Sequence, residues 1–317
     1  MVSKGVVIAG IGAGVLVSIV VIVSLLNMGN GSNDTTESKG ADTHTRLRIV
    51  TTFYPLYEFT RAVVKDKADV ELFIPRGVEP HDWEPTARDI ERLRSFNVLI
   101  YNSSNFEPYI DGVRESLPND LRMVEAAEGM IKSDDPHVWL DPLLAKEQVL
   151  KIMDVLSSID EPNRDYYRSN AEAYINTLDA LHNEYEEGLR ECERRVFISL
   201  HAAYSYLAER YRLEMVSIMG LEVEHGVSAS KIREIVDTAR SYGIDVVYAE
   251  EGIDSRIVEA LAEEIGARVL ILSPIEVVDE EHGSDSESDS ESESSEYMYI
   301  ERMRSNLESL REGLRCR

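Results

Sequence analysis

Apolar runs alternate with amphipathic segments in the part of the chain that follows residue 46. The runs at 47–53, 70–75 and 97–103 are rich in β-branched residues and have the length of buried strands. The segments at 56–64 and 86–95 carry their apolar residues at helical spacing. An alternation of strand and helix predicts a parallel sheet that is covered by helices.

A second series with the same rhythm follows in the later part of the chain. Its predicted strands are the apolar runs at 196–201, 214–220, 245–250 and 268–274. Amphipathic segments separate these runs, and residues 297–314 predict a closing helix. The second series therefore predicts a second parallel sheet with its own helices.

One long helical segment, residues 161–193, lies between the two series. Pro162 suits the first turn of a helix, and neither glycine nor proline interrupts the segment again before Gly188. The predicted fold class is α/β, with two parallel-sheet lobes at 46–160 and 194–317 joined by this single linking helix. A stiff helical link predicts little relative motion of the lobes.

The first 45 residues differ from the rest in composition. Residues 1–28 contain an apolar stretch from Gly5 to Leu26, which as a helix would be about 33 Å long and would cross a bilayer. We interpret residues 1–28 as a membrane anchor, with a cleaved signal segment as the alternative. The polar residues 29–45 predict a flexible tether. The folded part is then expected outside the cytoplasm, anchored to the membrane or, after cleavage, secreted.

Charge and cysteine content narrow the function classes. The formal net charge of −26 argues against nucleic acid as a partner, because phosphates would be repelled. Residues 279–296 hold nine acids and no Lys or Arg, which predicts a disordered acidic loop in the second lobe. Only two cysteines are present, Cys192 and Cys316, and a disulfide and two free thiols are equally compatible with the sequence.

Three histidines lie in loop-like or strand-end contexts that favour metal binding. His81 lies in GVEPHDWEP, His137 in DPHVWLDP, and His201 ends the apolar run VFISLH. Three imidazoles leave a fourth coordination position open on zinc and similar ions. These residues therefore predict a transition-metal site that the fold assembles from distant segments.

The other four histidines are weaker candidates. His225 lies in a loop-like segment and is retained as a weak candidate, whereas the remaining three are interpreted as ordinary polar residues: His44, His182 and His282.

These features together resemble the metal-binding solute receptors of ABC transporters, the zinc and manganese family. The resemblance extends from Leu47 to Leu314 and rests on VTTFYPLYEFT, GVEPHDWEPT, DPHVWLDP and YIERMRSNLESL. It implies a monomeric binding protein without enzymatic activity that delivers a divalent metal ion to an ABC transporter permease. It also implies that the metal lies in a cleft between the lobes, with His81 and His137 from the first lobe and His201 from the second.

The fourth ligand departs from the family pattern. An Asp in a D-P-L-G turn is common there, whereas this chain reads Ser273, Pro274, Ile275 and Glu276. Glu276 and a water molecule are equally compatible with the sequence, and Glu250 is a further alternative. The histidine at position 201 is typical of zinc members, so Zn²⁺ is the expected metal and Mn²⁺ the alternative.

Neighbouring residues are expected to support the site. Asp135, Asp141 and Glu84 are candidates to accept the free N–H groups of the ligand rings. Trp83 and Trp139 would pack beside the metal and exclude water. Two other functions remain open at this point: a zinc-dependent hydrolytic enzyme, because three histidines with an open position also suit a metal-activated water, and a surface adhesin.

Overall fold

The computed structural model describes most of the chain beyond the tether, namely residues 46–221, 227–251, 255–277 and 297–317. Several predicted features lie outside the described residues: the anchor 1–28, the tether 29–45, the acidic loop 279–296, His44, His225 and His282.

The first sheet has four parallel strands in the order β2-β1-β3-β4. Its strands are β1 Leu47–Thr51, β2 Ala68–Leu72, β3 Val98–Tyr101 and β4 Arg122–Glu125. The accompanying helices are α1 Tyr54–Val64, α2 Ala87–Leu93, α3 Tyr109–Val113 and α4 Pro142–Ile159. The central strand β3 is buried along its whole length, as expected for a parallel strand with helices on both faces.

The second sheet repeats this arrangement in the order β6-β5-β7-β8, again all parallel. Its strands are β5 Val196–Ser199, β6 Glu214–Ser217, β7 Val246–Ala249 and β8 Arg268–Ile271. Three helices accompany them: α6 Ser205–Tyr211, α7 Ala229–Tyr242 and α8 Arg256–Ile265. The central strands β5 and β7 are fully buried, which explains why their sequences are almost continuously apolar.

The linking helix, here α5, runs from Arg164 to Gly188 and is preceded by a short 3-10 turn at Glu161–Asn163. Its 25 residues span about 37 Å. The closing helix, α9 Met298–Leu314, packs against α5, where the Tyr185 hydroxyl donates a 2.5 Å hydrogen bond to the Met303 carbonyl. One hydrophobic core continues from the first sheet through α5 and α9 into the second.

A disulfide joins Cys192, just after α5, to Cys316, just after α9. This settles the pairing that the sequence left open. The bond joins the segment after α9 to the segment that leads into β5. The backbones of the two cysteines also pair there as an isolated antiparallel β-bridge.

Within the described ranges, no helix combines the length and the apolar character that a membrane span requires.

Candidate metal centre

Four metal-binding side chains from four separate segments meet at one point. His81 lies in a one-turn 3-10 segment, Pro80–Asp82, in the connection from β2 to α2. His137 directly precedes another such turn, Val138–Leu140. His201 follows β5 by two residues, and Glu276 follows β8 by five. One potential ligand atom from each of the four lies within 4.8 Å of the others.

The individual distances show how compact the cluster is. The Nε2 atoms of His81 and His137 are 3.3 Å apart. The Glu276 carboxylate faces all three rings, with Oε1 at 3.2 Å from His137 Nε2 and 3.9 Å from His201 Nε2, and Oε2 at 3.7 Å from His81 Nε2. The three Nε2 atoms and the carboxylate thus converge on a single position, as ligands of one ion would.

The cluster is almost closed to solvent. The His81 side chain is 7% exposed and the Glu276 side chain 1%, whereas the rings of His137 and His201 are fully buried. Burial makes electrostatic interactions at this point stronger than they would be in water.

Carboxylates behind two of the rings fix their orientation. Asp135 Oδ1 accepts from His137 Nδ1 at 2.7 Å and from the His137 backbone N–H at 3.0 Å. Glu250 Oε1 accepts from His201 Nδ1 at 2.6 Å. A proton held at Nδ1 leaves the Nε2 lone pair free to face the cluster, which is the arrangement that metal-binding histidines use.

Charges within the cluster perturb its protonation. Burial alone would lower the pKa of His137, but its hydrogen bonds with Asp135 and Glu276 outweigh burial and raise that pKa to about 9. Burial would likewise raise the pKa of Glu276, yet the rings of His81 and His137 hold it well below its usual range. Burial and the neighbouring Glu276 raise the pKa of Glu79 to about 9. The cluster therefore favours positive charge within it, such as a proton on His137.

An aromatic wall lies on one side of the cluster. The Phe106 ring is 4.8 Å from the His81 ring, and the Trp139 ring is 5.2 Å from the His137 ring, measured between centroids. Both aromatic residues are fully buried. Trp83 instead packs against Phe73 and Tyr109, away from the ligand rings.

Of the residues expected to orient the rings, only Asp135 does so. Asp141 caps α4 through the Leu143 N–H at 2.9 Å and pairs with Arg210, so its carboxylate is already occupied. Glu84 is exposed. Glu250, which the sequence offered as an alternative ligand, lies behind His201 and holds its ring.

His182, on α5, lies apart from the cluster and is within 3.1 Å of the Tyr211 hydroxyl. Its placement agrees with the interpretation of this histidine as an ordinary polar residue.

Known proteins that are similar to this chain take part in zinc uptake. The family described as "ZnuA: Zinc-uptake complex component A periplasmic" matches residues 49–313. The high-affinity zinc uptake system protein ZnuA of Bacillus subtilis (strain 168) is 33% identical over 303 residues, which cover 89% of this chain and 92% of that protein.

Two solved structures are also similar. The Zn(II)-bound ZnuA-like domain of Streptococcus pneumoniae AdcA has a TM-score of 0.73 and 33% identity, covering 85% of this chain and 99% of that domain. The full AdcA lipoprotein of that organism is longer, and the match spans 56% of it. The laminin-binding protein Lmb of Streptococcus agalactiae, described as bifunctional with adhesin and metal transporting activity, has a TM-score of 0.74 and 29% identity, covering 84% of this chain and 99% of that one.

Proposed function

The chain belongs to the ZnuA family of zinc-uptake components, and we propose that its four clustered side chains bind a zinc ion as cargo. The proposed ligands are His81, His137, His201 and Glu276. The protein is the solute-binding component of an ABC-type zinc importer and not an enzyme. It captures the ion outside the cytoplasm and delivers it to the permease and ATPase of the importer.

The observation that carries the ligand assignment is the convergence of four donor atoms within 4.8 Å in a buried position. Three imidazole nitrogens and one carboxylate oxygen are a donor set that suits tetrahedral zinc. Among the residues that the structure describes, His201 Nε2 has no hydrogen-bond partner, although it is buried. Such an orphaned nitrogen is costly unless a ligand satisfies it, and a bound ion would do so.

The way in which the chain stays near the importer is a separate part of the proposal. The apolar residues 5–26 would anchor the protein in the membrane, and residues 29–45 would tether the folded part, which acts as a monomer. Carbonate extraction of membranes checks the anchor: the protein is expected to stay in the pellet. Release into the supernatant would contradict anchoring.

Competition with a chromogenic chelator tests the ligand assignment. The purified full-length protein is expected to bind one zinc ion per chain and to prefer Zn²⁺ over Mn²⁺. Removing one ligand, in His81→Ala, His137→Ala, His201→Ala or Glu276→Gln, is expected to weaken zinc binding by orders of magnitude. Each change leaves at most three of the original protein donors for the four positions of tetrahedral zinc.

His182→Ala is the matched control, because it removes a histidine from α5 that does not belong to the cluster. It is expected to bind zinc like the parent protein. Parent-like zinc affinity in His201→Ala would overturn the proposed ligand set.

A further inference from the structure

The turn that presents Glu276 has an unusual backbone. Ile275, directly before the ligand, has a φ of +62° and is fully buried. This left-handed conformation is unfavourable for a β-branched side chain and persists only where surrounding contacts enforce it. Contacts that hold Ile275 in this conformation also determine where the Glu276 carboxylate lies.

Asn306 of α9 supplies the first of these contacts. Its side-chain Oδ1 accepts from the Ser273 N–H at 2.7 Å, and its Nδ2 donates to the Ser273 carbonyl at 2.7 Å. Asn306 is 2% exposed, so no solvent replaces these bonds if they are lost. The two bonds fix both backbone polar groups of the residue that begins the turn.

Ser273 and Trp139 supply two further contacts. The Ser273 hydroxyl accepts from the Ile275 N–H at 3.2 Å, within the turn itself. The indole Nε1–H of Trp139 donates to the Pro274 carbonyl at 2.8 Å. Because Trp139 follows His137 by two residues, this bond joins the segment that carries one ligand to the segment that carries another.

We infer that Asn306 and Trp139 are positioning residues for zinc binding, because they hold the Ser273–Glu276 turn in the conformation that places the Glu276 carboxylate among the three imidazoles. The inference rests on the proposed function and adds a role for α9, which contributes none of the proposed ligands. It also gives Ser273 a structural role in the turn.

Zinc binding by Asn306→Ala tests the inference. The change removes both bonds to Ser273. We expect zinc affinity to fall about tenfold to a hundredfold, which is the loss typical of residues that hold metal ligands in place. Trp139→Phe keeps an aromatic ring but removes the indole N–H together with part of a fully buried side chain. It decides the question if Asn306→Ala does not fold, provided that the lost volume is controlled for separately. An affinity loss of at least about tenfold is expected for it as well.

Two control variants separate positioning from general destabilisation. Leu310→Ala removes a fully buried side chain from the same helix and leaves the hydrogen-bonding groups of the turn in place. Tyr185→Phe removes one buried donor to a backbone carbonyl of α9, as Trp139→Phe removes the donor to the Pro274 carbonyl, while Leu310→Ala controls for lost volume. Both controls are expected to lower the melting temperature while keeping parent zinc affinity.

The absorption spectrum of the Co²⁺-loaded protein provides a readout of coordination that a purely structural role would not change. Asn306→Ala and Trp139→Phe are expected to shift the d–d bands towards those of Glu276→Gln. Parent spectra and parent affinity in both positioning variants would overturn the inference. Parent affinity in Glu276→Gln would instead overturn the ligand assignment, so the two failures are distinguishable.

Discussion

The carboxylate behind His201 offers a sharp test of how the site works. Glu250 follows β7 directly, while His201 follows β5, and these strands are neighbours in the second sheet. Glu250 Oε1 accepts a hydrogen bond from His201 Nδ1 at 2.6 Å, and the Glu250 residue is only 4% exposed. The carboxylate therefore fixes the ring tautomer and increases the basicity of the nitrogen that faces the metal.

Glu250→Gln removes the charge at almost constant volume. A carboxamide accepts more weakly, and if it turns to donate, the His201 proton moves to Nε2 and blocks the metal. Outer-shell losses of this kind weaken metal binding about tenfold to a hundredfold, which corresponds to about 1.4–2.7 kcal/mol. Asp135→Asn makes the same change behind His137, where Asp135 Oδ1 accepts from both the ring Nδ1 and the backbone N–H, and we expect a loss in the same range.

Competitive zinc titration against a chelator measures the effect, with circular dichroism to confirm that the variants fold. Glu58→Gln is the matched control, because Glu58 is a buried carboxylate that bonds to Tyr174 at 2.7 Å and to the Tyr299 N–H at 2.8 Å and touches none of the proposed ligands. Zinc affinity of Glu250→Gln within about twofold of the parent would refute the reasoning, since outer-shell losses are larger.

Two further predictions follow from the protonation of the cluster and from the disulfide. Because the pKa of His137 is raised to about 9 in the metal-free protein, zinc must displace a proton below that pH. Zinc affinity is therefore expected to rise about tenfold per pH unit from pH 7 towards pH 9, with proton release detectable by calorimetry in buffers of different ionisation enthalpy. A pH-independent affinity over this range would contradict the prediction. Replacing Cys192 and Cys316 together by Ser opens a loop with a sequence separation of 124, and the loop-entropy relation gives a loss of up to about 5 kcal/mol in the free energy of unfolding, measured with urea. Parent zinc affinity is expected to persist, and a stability loss below about 1 kcal/mol would argue against a constraining role for the bond.

Much of the fold could be predicted because its central strands are buried on both faces. β3 and β7 are apolar throughout and β5 is apolar up to its last residue, Ser199, so their sequences stand out from the helices around them. The edge strand β4, Arg122–Glu125, has charged residues at both ends and is only partly buried, so its pattern resembles a loop. Helix α4 is absent from the elements that the sequence pattern predicted. Its start signal was nevertheless detectable, since Asp141 caps the helix and Pro142 occupies its first turn.

The candidate site could be predicted only in part. His81, His137 and His201 stand in distinctive local sequences, whereas the choice among Glu276, Glu250 and water depended on backbone geometry. Glu276 reaches the cluster from a turn in which Ile275 has a left-handed backbone conformation, and a sequence pattern does not encode that angle at an isoleucine. The cysteine pairing likewise depends on a proximity that the fold creates.

The burial of the cluster has a consequence for the rates of metal exchange. No proposed ligand side chain is more than 7% exposed, so an ion bound there leaves only after part of the surrounding wall has moved. Residence time then depends on how often the wall opens as well as on the strength of the metal bonds. Two ions of different affinity would share the same opening step, and their dissociation rates would differ less than their affinities. The permease could accelerate delivery by favouring the open form, without competing for the ion through stronger ligands.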